Sequence, residues 1–207
     1  MQNTISKEDI KTLPLKQFEG PVTVVEDPEK VATIVKELTK KKTVGFDTET
    51  KPSFKKGVSH KVALLQISTD EEAFLFRLNK TGLNGPLTEL MASPDILKVG
   101  VGIRDDLRAL RQLNPFTPRG FVELQEVVPD YGIEVLSLKN LAGLLLGIRV
   151  SKRQRLSNWE AGQLTEGQII YAATDAWVAL QIFNKLQNLE PVETEQKKTE
   201  QKNQESS

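Results

Sequence analysis

The chain has no cysteine and a single histidine, His60. Disulfides, thiolate zinc sites and cysteine nucleophiles are therefore excluded, and a histidine-rich metal site has nothing to build on. A serine triad would have one possible base, but His60 stands in the polar stretch Lys55-Lys56-Gly57-Val58-Ser59-His60-Lys61 and reads as a solvated loop residue. No hydrophobic run approaches the ~18 residues of a membrane span, and residues 1–11 lack the charged start and apolar centre of a secretory signal, so the expectation is a cytoplasmic protein with no membrane partner. Net charge is missing too, since 28 Lys and Arg balance 28 Asp and Glu. That balance argues neither for nor against nucleic acid, because the distribution of charge over the surface decides binding. The 207 residues suit one domain of ordinary size with a substantial core.

What the chain does have is carboxylates in suggestive places. Val44-Gly45-Phe46-Asp47-Thr48-Glu49 reads as a strand, and its period of two projects Asp47 and Glu49 from one face. Like charges held that close repel, and desolvating them costs several kcal/mol per ion, so the pair persists only if water or a cation neutralises it. Hard oxygen ligands favour Mg²⁺ or Mn²⁺. Later, Tyr171 and Asp175 stand four residues apart in a helical pattern, which stacks a phenol and a carboxylate on one face. Between these signatures, Ile103, Leu107, Leu110 and Leu113 define a helical stripe. At roughly 100° per residue, Asp106 borders that stripe and Asp105 lies nearly opposite it, so Asp106 is the better inward-facing ligand.

Strands and helices alternate along the rest of the chain. Pro21–Val25 reads as a strand, and Asp27-Pro28 as an N-cap followed by proline at the first helical position. Val62–Ile67 and Ala73–Leu78 form a hairpin across Ser68–Glu71. A helix over Leu83–Ala92 and a short strand at Ile96–Val99 follow. Ser137–Ile148 is leucine-dense at helical spacing and reads as a buried helix. Thr165 and Gln168 form a capping box that opens a final helix reaching about Gln187. Trp159 and Trp177 read as core anchors rather than base-stacking platforms. The pattern predicts an α/β fold with a mixed central sheet flanked by helices. Residues 1–19 are a polar N-terminal segment, 20–190 the domain, and 191–207 a tail too poor in apolar residues to order itself.

Two basic stretches accompany the acidic signatures along the chain. Lys51, Lys55, Lys56 and Lys61 come after the first, while Arg149, Lys152, Arg153 and Arg155 precede the helix of the second. Basic loops around an acidic centre are what a phosphate-backbone substrate requires, which makes Lys61, Lys152, Arg153 and Arg155 the candidate nucleic-acid contacts.

Val44–Glu49, Lys61-Val62-Ala63-Leu64-Leu65-Gln66-Ile67, Val99–Asp106 and Tyr171–Asp175 together resemble, in order, the motifs of the DEDD 3′-to-5′ exonucleases, tyrosine subtype. Ser157-Asn158-Trp159 and Leu164-Thr165 add similarity to the Werner-type and ribonuclease D-type members. The resemblance covers roughly residues 20–190. It implies a ribonuclease H-like fold, with Asp47, Glu49, Asp106 and Asp175 as ligands of two divalent cations, Mg²⁺ or Mn²⁺, and no small-molecule cofactor. Tyr171 would position or deprotonate the attacking water, and a nucleic acid with a free 3′ end would be shortened by release of nucleoside 5′-monophosphates. The family's pattern leaves open an exchange of roles between Asp105 and Asp106. Because the second RNA-binding domain typical of ribonuclease D is not seen, DNA is favoured over RNA.

Two other readings compete. A non-catalytic nucleic-acid-binding module could share the fold, though the complete five-residue set speaks against it. Gly100-Val101-Gly102, with Glu123 about 20 residues on, resembles a dinucleotide fingerprint, but Asp105 replaces its third glycine and would oppose a pyrophosphate.

Overall fold

A computed structural model describes residues 2–55 and 57–192; the tail read over 191–207 lies outside the described residues from 193 onward. In chain order the elements are α1 (Lys7–Thr12), β1 (Val22–Val25), α2 (Pro28–Leu38), β2 (Thr43–Thr50), β3 (Val62–Ser68), β4 (Ala73–Arg77), α3 (Leu78–Thr81), α4 (Gly85–Ala92), β5 (Leu97–Gly100), α5 (Ile103–Leu113), β6 (Phe121–Glu123), α6 (Leu124–Val127), α7 (Leu138–Leu141) and α8 (Glu166–Leu186). The strands form a six-stranded sheet in the order β1-β4-β3-β2-β5-β6. Strand β3 runs antiparallel to β2 and β4, and the other neighbouring pairs are parallel. Among the described residues no helix is long and apolar enough to cross a membrane.

The two faces of the sheet are covered differently. On one, Val44, Phe46, Leu65, Ile67, Phe74 and Phe76 pack against Val31 and Val35 of α2, Leu87 and Leu90 of α4, and Ile103 and Leu110 of α5. Each such side chain contributes roughly 1.5–3 kcal/mol on burial. On the other, the long helix α8 lies across β2 and β3 and brings down small residues: Ala172 meets Leu64 and Leu75, while Ala173 meets Ala73 and Phe18. Its close approach depends on Gly45, where a Cβ would stand 1.9 Å from the Ala176 carbonyl oxygen. Val178, Ala179 and Ile182 continue α8 into a second core with Val99, Leu124 and Leu141.

Local signals account for most element ends. The Asp27 carboxylate accepts the Glu29 N–H at the start of α2, and the Thr165–Gln168 capping box opens α8. The leucine-rich stretch departs from a single helix: α7 gives way to a π-helical turn over Ala142–Leu146 that ends at Gly147. A Cβ on Gly143 would lie 3.1 Å from Ile10 and 3.2 Å from Ile5, so the turn is where the N-terminal segment docks. That segment, polar in composition, is part of the packed unit. Ile10 and Phe18 are buried, Leu15 bridges Arg149, and the Phe18 N–H donates to Thr174 Oγ1 on α8.

Candidate active site

Gly45, Asp47 and Glu49 alternate with Val44, Phe46 and Thr48 along β2, so the glycine that admits α8 and the two carboxylates share one face. Asp175, on the buried side of α8, comes down onto them. One carboxylate oxygen from each of Asp47, Glu49 and Asp175 lies within 4.8 Å of the others. Asp106 stands beside this trio rather than inside it. Its Oδ1 accepts a 2.5 Å hydrogen bond from Thr48 Oγ1, and its charge is near enough to raise the pKa of both Asp47 and Glu49. Asp105 faces solvent, its side chain 88% exposed and paired with Arg108.

Helix α5 is fixed by Glu123, which sequence reasoning considered only as part of the rival fingerprint. The Glu123 carboxylate accepts the Gly102 N–H at 2.9 Å and the Ile103 N–H at 2.6 Å. A protein carboxylate thus occupies the positive helix end where a pyrophosphate would sit, which removes the dinucleotide reading.

The electrostatics follow from crowding acids with little water. Burial, then the charges of Asp175, Asp106 and Glu49, push Asp47 well above the usual carboxylate range, against the 2.8 Å Thr48 N–H bond to its Oδ1. Burial, then Asp175 and Asp106, raise Glu49 to about 8, with Arg155 opposing. Burial lifts Asp175 to about 7 against the Tyr171 hydrogen bond and Lys152. It lifts Asp106 to about 6 against the Thr48 hydroxyl. Four acids in this state cannot all ionise without a counter-charge, and an all-oxygen donor set of this kind suits a hard divalent cation.

Tyr171 projects from α8 one turn before Asp175, and its ring lies against the fully buried Trp159 indole, centroids 6.1 Å apart. Trp159 is thus a core residue that also supports the phenol. Burial and the charges of Asp175 and Glu49 raise the Tyr171 pKa above its ordinary value, so the hydroxyl keeps its proton and acts as a donor toward Asp175. Trp177, half-buried, stacks obliquely on Phe18 at 6.0 Å.

Two openings reach this centre. A cleft of about 200 Å³ is lined by Lys16, Gln17, Arg153, Gln154, Tyr171 and Asp175. A second opening, of about 210 Å³, is lined by Lys139, Lys152, Arg155, Tyr171 and Asp175 among others. Lys152, Arg153 and Arg155 are exposed along these rims, whereas Lys61 is exposed at the start of β3 and lines neither. The loop after β2 is tied across by Glu160, which takes Lys51 at 3.3 Å and His60 at 3.6 Å. Sequence reasoning missed Thr48, Gly45, Glu160 and the N-terminal wall of the cleft. Among these, only Gly45 left a signal, as the lone glycine among the inward positions of an otherwise apolar strand start.

With this geometry in hand, comparison with known proteins decides the family. The sequence profile of the 3′-5′ exonucleases matches residues 22–190. The chain belongs to the 3′-5′ exonuclease family. It is 37% identical over 152 residues to the mouse bifunctional 3′-5′ exonuclease/ATP-dependent helicase WRN, covering 70% of this chain and 11% of that protein. It is 29% identical over 163 residues to ribonuclease D of Gluconacetobacter diazotrophicus, covering 76% of this chain and 40% of that one. The chain therefore spans only a minor part of both proteins. The Aedes aegypti Nibbler EXO domain superposes with a TM-score of 0.74 at 21% identity, covering 83% of this chain and 91% of that one. That superposition, with those on ribonuclease D and RRP6 catalytic domains, shows a ribonuclease H-like fold.

Proposed function

We propose that this exonuclease is of the tyrosine DEDD type and shortens polynucleotides from a free 3′ end, releasing nucleoside 5′-monophosphates, with DNA ahead of RNA as substrate. The convergence of Asp47, Glu49 and Asp175 oxygens within 4.8 Å carries this reading. Those three carboxylates would hold two divalent cations, Mg²⁺ or Mn²⁺, with Asp106 supporting the second. So bound, the cations supply Lewis-acid polarisation of the terminal phosphodiester and neutralise charge developing on it.

The protein's own groups do the rest. Tyr171, held by Trp159 and donating its hydroxyl proton to Asp175, offers its oxygen lone pairs to accept from the attacking water and orient it in line with the phosphorus. A phenol whose pKa is pushed upward serves as a fixed donor rather than as a base. Thr48 keeps Asp106 turned toward the centre. Lys152, Arg153 and Arg155, on the rims of the two openings, meet backbone phosphates as point charges and forks, and Lys61 extends the basic surface beyond β2. The order of DNA before RNA is part of this proposal, supported by the higher identity to the Werner-type relative than to ribonuclease D.

The experiment is digestion of 5′-labelled single- and double-stranded DNA and RNA in Mg²⁺ or Mn²⁺, with Asp47→Ala alongside. A ladder shortening from the 3′ end in the wild type and absent in the variant is the expected result, and the relative rates rank the substrates. Oligonucleotides that stay intact yet bind would instead assign a non-catalytic binding module.

A further inference from the structure

Gln66 sits at the centre of β3, fully buried, and among the described residues neither its Nε2 nor its Oε1 has a hydrogen-bond partner. Leaving a buried amide unpaired costs ~1–3 kcal/mol per group, which is reason to ask what it is for. The register answers part of this. Across the sheet, Gln66 pairs with Asp47 on β2 and with Leu75 on β4. Directly opposed residues on one face hold their Cβ atoms about 4.5–5.5 Å apart, and the face in question is the one that α8 covers with Ala172 and Ala173. The row therefore reads Leu75, Gln66, Asp47, with one apolar neighbour for the amide and one carboxylate.

We propose that Gln66 is a positioning residue for Asp47, its amide N–H turning to the Asp47 carboxylate when that group holds a cation. The terminal torsion of glutamine is soft, so a small rotation across the pair suffices. Asp47 Oδ1 already takes the Thr48 N–H at 2.8 Å. A second donor from β3 would hold the carboxylate from the opposite side and fix the direction of its free lone pairs. Hydrogen bonds of this kind to a liganding group commonly change metal affinity by about 10–100-fold.

This inference rests on the reading of the acidic centre as a cation site, and the test separates the two. Gln66→Met removes both polar atoms at nearly constant volume, and Gln66→Leu is the second variant. For each, the melting temperature without metal is measured together with the Mn²⁺ dissociation constant, by titration calorimetry well below that temperature. The expected result is a metal-free melting temperature equal to or above wild type, with Mn²⁺ affinity about tenfold weaker. A folded variant that binds Mn²⁺ within twofold of wild type overturns the proposal. So does a fall in metal-free stability with unchanged affinity, which would make Gln66 a packing residue. Wild-type protein that binds no Mn²⁺ would instead remove the cation site itself.

Discussion

The two faces of strand β2 are built on opposite principles. Val44 and Phe46 enter an apolar core with α2, α4 and α5, where burial of each side chain is favourable. One residue along, Gly45, Asp47 and Glu49 face α8, where burial and mutual repulsion push the carboxylates toward neutrality. The same eight residues thus store stability on one side and instability on the other. The apolar face makes the polar one possible, since a site that repels itself must be held by something that does not.

The sharpest way to probe the contrast is to exchange charge for amide at its centre. Asp47→Asn should lower exonuclease turnover on the order of 10⁴-fold, equivalent to about 5.5 kcal/mol, while leaving metal-free stability equal or higher because one repelling acid is gone. Rate assays and thermal melts in a chelator read the two effects separately. A variant that loses stability in step with activity would show that Asp47 supports the fold. The mirror experiment is Phe46→Ala, which opens a cavity beside Phe121, whose ring meets it edge-on at 5.2 Å. A loss of ~3–5 kcal/mol in denaturant unfolding is expected, with turnover per folded molecule within a few-fold of wild type.

Tyr171→Phe is a smaller and more specific cut. The hydroxyl contributes orientation rather than charge, so turnover should fall about 10²-fold, or about 2.7 kcal/mol. The ring packing on Trp159 and the Mn²⁺ affinity should be kept. Unchanged turnover would take Tyr171 out of the mechanism.

These effects differ in how far the sequence alone could foresee them. Period-two alternation put Asp47 and Glu49 on one face, and the 100° helical step separated Asp106 from Asp105, because both readings need only local geometry. The capping box at Thr165 and the Asp27-Pro28 start were legible for the same reason. The hold of Thr48 on Asp106 was not, since a side chain on the apolar face of β2 must meet a helix 58 residues away in sequence. Nor was the Gln66–Asp47 row, which depends on strand register, or the N-terminal wall of the cleft. There a polar composition concealed Ile10 and Phe18, two anchors whose burial is decided by Gly143 and α8. The single helix expected over Ser137–Ile148 became a helix and a π-helical turn for that same docking, which periodicity does not report.

The mildest test asks whether the acidic face is unstable when it carries no cation. In the folded protein Glu49 titrates at about 8, Asp175 at about 7 and Asp106 at about 6, whereas in the unfolded chain all return to near 4. Between those limits the folded state binds more protons than the unfolded one, so stability falls as pH rises. In a chelator the melting temperature should therefore decline from pH 5 to pH 8, by about 2–4 °C for each kcal/mol involved. Mg²⁺ or Mn²⁺ competes with those protons and should stabilise the protein more at pH 8 than at pH 5. Asp47→Asn should flatten the pH dependence, and Phe46→Ala should shift the whole curve down without changing its slope. A metal-free melting temperature that stays level or climbs over this range would mean that the carboxylates are solvated and that the two faces of β2 differ only in polarity.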